Sequence, residues 1–127
     1  MIDHISIAVR DLKEAARFYE PLLATLGMTK LRDWPDAAVG YGKKYPEFWI
    51  NRHKDMAPVA ADSGVHICLR APSIQAVDAF FAAALAAGGI SDGAPGLRAH
   101  YHENYYAAFI RDPDGNRIEV VTFVAAK

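Results

Sequence analysis

A block near the start of the chain returns, in kind and in register, 62 residues later. His4-Ile5-Ser6-Ile7 falls on His66-Ile67-Cys68-Leu69. Without a gap, Leu12 then falls on Ile74, Phe18 on Phe80, Leu23-Ala24 on Leu85-Ala86, and Gly27 on Gly89. The match runs through a strand-like segment, a helix-like segment and a glycine, so one small unit has been used twice. Each copy carries a histidine at the same point of its first strand. Two equivalent histidines brought together by pseudo-symmetry are a natural start to a metal site.

Hydrophobic periodicity fills in the unit. The first strand is predicted over Ile2–Val9, with Ile5, Ile7 and Val9 on one face and His4, Ser6 and Ala8 on the other. Gly64–Ala71 repeats the pattern, with His66, Cys68 and Arg70 opposite Ile67, Leu69 and Ala71. The apolar face should cover the following helix, and the polar face should look into a cavity. Asp11 is an N-cap for a helix predicted over Leu12–Leu26, ended by Gly27. Ser73 caps its counterpart over Ile74–Ala87, closed by Gly88-Gly89, and Pro72 blocks backward extension. Short strands follow, near Met28–Asp33, Ala37–Tyr41 and Phe48–Asn51 in the first unit. In the second they fall near Ile90–Ser91, Tyr105–Arg111 and Arg117–Phe123, the last two joined at Asp112-Pro113-Asp114-Gly115-Asn116. Each unit therefore reads β-α-β-β-β. Module one spans residues 1–52, a linker 53–63, and module two 64–127, all in one domain.

Composition narrows the function classes. At 127 residues and 52% hydrophobic content, the chain can bury a core without disulfides. A net charge of −1 gives no electrostatic case for nucleic acid or anionic membrane. No apolar run approaches the ~18 residues a membrane span needs. The lone cysteine, Cys68, suits a reducing compartment, and MIDHISIAV reads as a strand rather than a basic leader. A cytoplasmic location is expected.

The third informative residue is Glu119. Ile118 and Val120 face one side of an apolar strand, so Glu119 faces the other, which by analogy with the histidine strands is the cavity. A carboxylate directed into a pocket is costly unless it is paired or bound to a cation. A lone strand histidine is usually hydrogen-bonded or at the surface; the symmetry of His4 with His66, and the position of Glu119, change that weighing. Two imidazoles and a carboxylate with open positions form the set used by divalent iron or manganese, and in some cases zinc or nickel.

These residues sit in motifs that resemble the vicinal oxygen chelate superfamily: glyoxalase I, extradiol dioxygenases, and the bleomycin- and fosfomycin-resistance proteins. The resemblance rests on IDHISIAVRDL, FYEPLLATLGM, GVHICLRAP and the closing FIRDPDGNRIEVV, and covers nearly the whole chain. It implies an α+β fold in which two βαβββ modules form a cupped, mostly antiparallel eight-stranded sheet with helices outside. It also implies a divalent metal held by His4, His66 and Glu119, and a small-molecule substrate. Glyoxalase I adds a glutamate on the fourth strand. Here, equal hairpin lengths put Ile50 opposite Glu119 and a one-residue slip puts Trp49 there; Glu47 is nearby but out of register. The sequence thus departs from glyoxalase I at the fourth ligand.

Other residues of the polar faces offer further roles. Arg70 would hold a substrate carboxylate or phosphonate, or else pair with Glu119 or an aspartate. Tyr101 and His102, in the loop entering the seventh strand, are candidate catalytic residues, and Trp49 and Tyr106 candidate substrate contacts. Two functions stay open: a metal-dependent enzyme of glyoxalase or dioxygenase type, and a metal-free ligand-sequestering protein of the bleomycin-resistance type, for which Trp34, Trp49 and Tyr106 would line the pocket. A homodimer is expected, in one arrangement of which His4 of one copy meets Glu119 of the other.

Overall fold

The computed structural model describes residues 1–124, in the element order expected of a doubled unit. Module one holds β1 (Ile5–Val9), α1 (Leu12–Ala24), β2 (Thr29–Trp34), β3 (Ala38–Gly42) and β4 (Phe48–Arg52). Module two holds β5 (Ile67–Arg70), α2 (Ile74–Ala86), β6 (Ile90–Leu97), β7 (Tyr105–Arg111) and β8 (Arg117–Phe123). The helices keep the 62-residue register from end to end. Asp11 and Ser73 cap them in the same way, each side-chain oxygen accepting from the amide three residues on. The strict register ends with the helices: the left-handed residue is Gly27 in module one but Gly88, one residue earlier by that ruler, in module two.

The strands form two four-stranded mixed sheets, β1-β4-β3-β2 and β5-β8-β7-β6, rather than one continuous sheet of eight. In each, the first strand pairs parallel with the fourth and the hairpin strands pair antiparallel. The faces divide as alternation predicts. Val9, Val39, Tyr41, Phe48 and Ile50 in one sheet, and Ala108, Ile110, Ile118 and Val120 in the other, join the helices in one shared core. Phe18 and Phe80, a repeat pair, are both buried there. Tyr19 packs against Phe18 and Phe48, with centroid distances of 4.9 and 5.2 Å. Burying each such side chain contributes roughly 1.5–3 kcal/mol, and this apolar term ties the modules together.

Two expectations are corrected. Both histidine strands start later than predicted, at Ile5 and Ile67, so His4 and His66 each stand just before a strand. β6 continues to Leu97 although Asp92-Gly93-Ala94-Pro95-Gly96 reads as a loop; it is an edge strand whose register shifts twice, and bulges accommodate its proline. The turn at Asp112–Asn116 does more than join two strands. Tyr19 Oη donates to the buried Asp112 Oδ2 at 2.6 Å, Asn116 Nδ2 to the Ala8 carbonyl at 2.9 Å, and Arg10 Nε to Asp114 Oδ1 at 2.8 Å. The tip of module two is thereby fastened to β1 and α1 of module one.

Candidate metal centre

Alternation along β8 sends Ile118 and Val120 into the core and turns Glu119 to the open face of its sheet. Its ladder neighbours are Cys68 on β5 and Phe109 on β7. Walled by them, Glu119 is only 3% exposed. One carboxylate oxygen lies 3.0 Å from His66 Nε2, and the other accepts the Tyr105 hydroxyl. Among the described residues no arginine or lysine pairs with it. A buried carboxylate facing a half-exposed imidazole, with no cationic side chain beside it, has the donor chemistry that suits a divalent ion.

The groups around it are held in their protonated forms. Burial and the bond to Glu119 push the Tyr105 hydroxyl well above the usual phenol range. Burial, and then the charge of Glu119, push the Cys68 thiol up to about 12. Cys68 Sγ lies 4.0 Å from Tyr105 Oη and is a thiol at neutral pH, the state that neither binds soft metals nor attacks electrophiles.

His4 stands apart from this pair. Its Nδ1 is 2.7 Å from Asp3 Oδ1, and no group of three His, Cys, Asp or Glu side chains converges as a metal site among the described residues. His4 and His66 do line one cleft of about 430 Å³, with Glu47 and Cys68, but Glu119 is not in its wall. One chain therefore brings together two of the three predicted donors.

The ladders also identify the counterpart of Glu119 in module one. Glu119 lies opposite Cys68, and Trp49 lies opposite Ser6, the repeat partner of Cys68. The hairpin of module one is one residue shorter than that of module two, so Trp49 rather than Ile50 is the counterpart of Glu119. The indole covers Gly40, where an added Cβ would come within 2.9 Å of two of its atoms, and it lies 4.9 Å from the Trp34 ring. Glu47 is two residues upstream, in the row of Arg117.

The remaining residues divide between rim and core. Arg70 lies over the Phe123 ring, 4.9 Å from its centroid, and makes no bridge to Glu119. Tyr101 meets Tyr105 edge-on at 5.2 Å, and His102 meets Phe123 edge-on at 5.7 Å while its Nδ1 accepts from the Asn104 amide. Tyr106 does not reach the open face: parity turns it toward α2, where its hydroxyl donates to Asp78 at 2.7 Å. Tyr105, by contrast, is the residue that grips Glu119. Period-two alternation places Tyr105, Ala107 and Phe109 on one face, and this was the signal that distinguished the two adjacent tyrosines.

Comparison with known proteins agrees with this fold. A crystal structure of a glyoxalase/bleomycin resistance protein from Albidiferax ferrireducens T118 is 31% identical, with a TM-score of 0.78 over 94% of this chain and 95% of that one. Two others share the fold at lower identity. A glyoxalase/dioxygenase from Nostoc punctiforme is 15% identical, with a TM-score of 0.74 over 98% of this chain and 92% of that one. A glyoxylase/bleomycin resistance protein/dioxygenase domain from Frankia sp. EAN1pec is 17% identical, with a TM-score of 0.73 over 98% of each chain. A search of curated proteins found no match. A family model matches residues 1–120, and on that match the chain belongs to the glyoxalase/bleomycin resistance protein/dioxygenase superfamily.

Proposed function

We propose that the protein is a metal-dependent enzyme of vicinal-oxygen-chelate type acting on a small, oxygen-rich substrate. In this reading His66 and Glu119 supply two of the three donors of a metal centre, and His4 of a second copy supplies the third. The observation that carries it is the Glu119 carboxylate: nearly fully buried, turned to the open face, 3.0 Å from an imidazole, and without an arginine or lysine partner among the described residues. Divalent iron, manganese, zinc or nickel all suit two imidazoles and a carboxylate. Bound there, such an ion would act as a Lewis acid on neighbouring substrate oxygens.

The chain's own residues prepare the site. Tyr105 occupies one oxygen of Glu119 and leaves the other for coordination, fixing the carboxylate's orientation. Phe109 and Cys68 wall the carboxylate from water on either side. In this reading Tyr101, edge-on to Tyr105, or His102, edge-on to Phe123, exchanges a proton with a substrate at the rim. Trp49 in place of a fourth donor favours three-ligand chemistry over the isomerisation of glyoxalase I. Metal analysis of protein purified without chelators tests the reading. It predicts stoichiometric metal in wild type, lost in His66→Ala and Glu119→Gln; trace metal unchanged by either substitution would refute it.

A second reading draws on the Trp34–Trp49 pair, since Trp34 is 57% exposed and an indole surface of this kind suits a flat ligand. A metal-free binding protein would hold such a ligand with an affinity indifferent to chelators and to Glu119→Gln.

A further inference from the structure

The open face of module two carries a second charged feature. Across that sheet Cys68, Glu119, Phe109 and Gly93 form a single transverse row, each opposite the next in the ladders. Gly93 supplies no side chain, and the guanidinium of Arg98 takes the vacated space. An added Cβ at Gly93 would lie 3.3 Å from Arg98 Nη2, and one at Gly96 would lie 3.1 Å from Nη1. The group lies over the Phe109 ring, its carbon 5.6 Å from the centroid. Nη1 donates to the Gly96 carbonyl at 3.0 Å and Nη2 to the Ala94 carbonyl at 2.7 Å. These contacts hold the guanidinium flat but leave its charge unneutralised, because Arg98 forms no bridge to a carboxylate among the described residues. Arg111 and Arg117, by contrast, share Asp92.

We propose that Arg98 is the anion anchor of the ligand site, binding a carboxylate or phosphonate group of a small molecule whose other end reaches His66 and Glu119. The inference rests on the metal-centre reading above and adds the class of substrate to it. Glu119 and Gly93 are two strands apart, so the two ends of the ligand are separated by roughly 10 Å or less. Phe109 lies between them, its ring 6.2 Å from that of His66, and forms the floor for an apolar or flat spacer. A guanidinium already immobilised by two carbonyls and an aromatic face loses little entropy on binding an oxyanion, and offers its remaining N–H groups as charge-assisted donors. Arg70, stacked on Phe123 at the opposite side of Glu119, is the internal control.

A purely structural role, clipping the bulged part of β6, is the competing account, and the experiment separates them. Two probes are titrated calorimetrically into manganese-loaded protein: benzohydroxamate, which has metal-chelating oxygens alone, and 4-carboxybenzohydroxamate, which adds the anion across the ring. Wild type is expected to bind the carboxylated probe about tenfold more tightly. Arg98→Gln keeps an amide donor for the β6 carbonyls and removes the charge; it should abolish that preference while leaving benzohydroxamate affinity unchanged. Arg98→Lys should retain part of it, and Arg70→Gln all of it. Equal ratios in wild type and Arg98→Gln, loss of affinity for both probes alike, transfer of the effect to Arg70→Gln, or failure of either probe to bind would each overturn the proposal. The metal reading is judged separately, by whether a chelator removes benzohydroxamate binding. If it does not, that reading fails, and the ratio of the two probes still decides the role of Arg98.

Discussion

Across their open faces the two modules lay down the same backbone with different chemistry. The central row of module one is Ser6, Trp49, Gly40 and Arg32; that of module two is Cys68, Glu119, Phe109 and Gly93. In the first an indole lies over a glycine, and in the second a carboxylate stands beside a phenyl ring whose far side carries a guanidinium. The buried faces of both sheets, by contrast, are filled alike with aliphatic and aromatic side chains. Packing holds the duplicated fold, because each module must cover a helix. The open faces carry no such constraint and differ, one with a buried carboxylate at its centre and one with an indole.

The comparison can be broken at the row itself. Glu119→Gln should lower metal affinity by about a hundredfold or more, as expected for losing a ligand, whereas Trp49→Ala should leave it within about threefold. Competition against a fluorescent chelator measures both, and comparable losses would show that the two positions are not chemically distinct.

Two glycines, one ending β3 and one ahead of β5, offer a second contrast. A Cβ on Gly42 would fall 1.9 Å from the Tyr45 carbonyl oxygen, whereas one on Gly64 would meet nothing within 4 Å. Gly42→Ala is expected to cost about 3–5 kcal/mol in urea unfolding, and Gly64→Ala less than about 0.5 kcal/mol.

The fastening between modules is a smaller term. Tyr19→Phe leaves a lone pair of the buried Asp112 unsatisfied and should cost about 1–3 kcal/mol. A second, independent unfolding transition in this variant would mean that the contact, and not the shared core, couples the modules.

Asp112 supplies the smallest effect, a slope with pH. Burial raises its folded value above the usual carboxylate value, against the opposing pull of its bonds from Tyr19 and Asn116. A raised folded value means that its contribution to stability is fully present below the unfolded value. That contribution is lost as pH rises through the folded value. Wild-type stability relative to Asp112→Asn should therefore fall as pH rises above about 4, the ordinary carboxylate value. A difference that rises over that range would contradict the assignment.

Much of this was legible in the sequence, for physical reasons that particular residues make clear. The helices and their caps followed from Asp11, Ser73 and the 62-residue register, since apolar spacing and capping are local. β7 and β8 had their bounds set by alternation and by the Asp112–Asn116 turn. β6 was hidden because glycine and proline mark loops unless an edge strand can bulge, which is a property of its place in the sheet. At the site, the direction of Glu119 was legible from the parity of one strand. Its bond with Tyr105 and the lodging of Arg98 over Phe109 were not, since each depends on which strand lies beside which. Trp49 as the counterpart of Glu119 turned on a single residue of hairpin length.

The central claim is that the metal centre is asymmetric and shared: His66 and Glu119 from one copy, His4 from another. A heterodimer carrying His4→Ala in one copy and Glu119→Gln in the other, purified on two different tags, tests it most directly. One of its two sites would then combine two mutated positions, and the other would be intact. Metal analysis should find half the wild-type content in the heterodimer and only traces in each homodimeric variant. Traces in all three would place the donors within a single chain, and full content in the His4→Ala homodimer would remove His4 from the site.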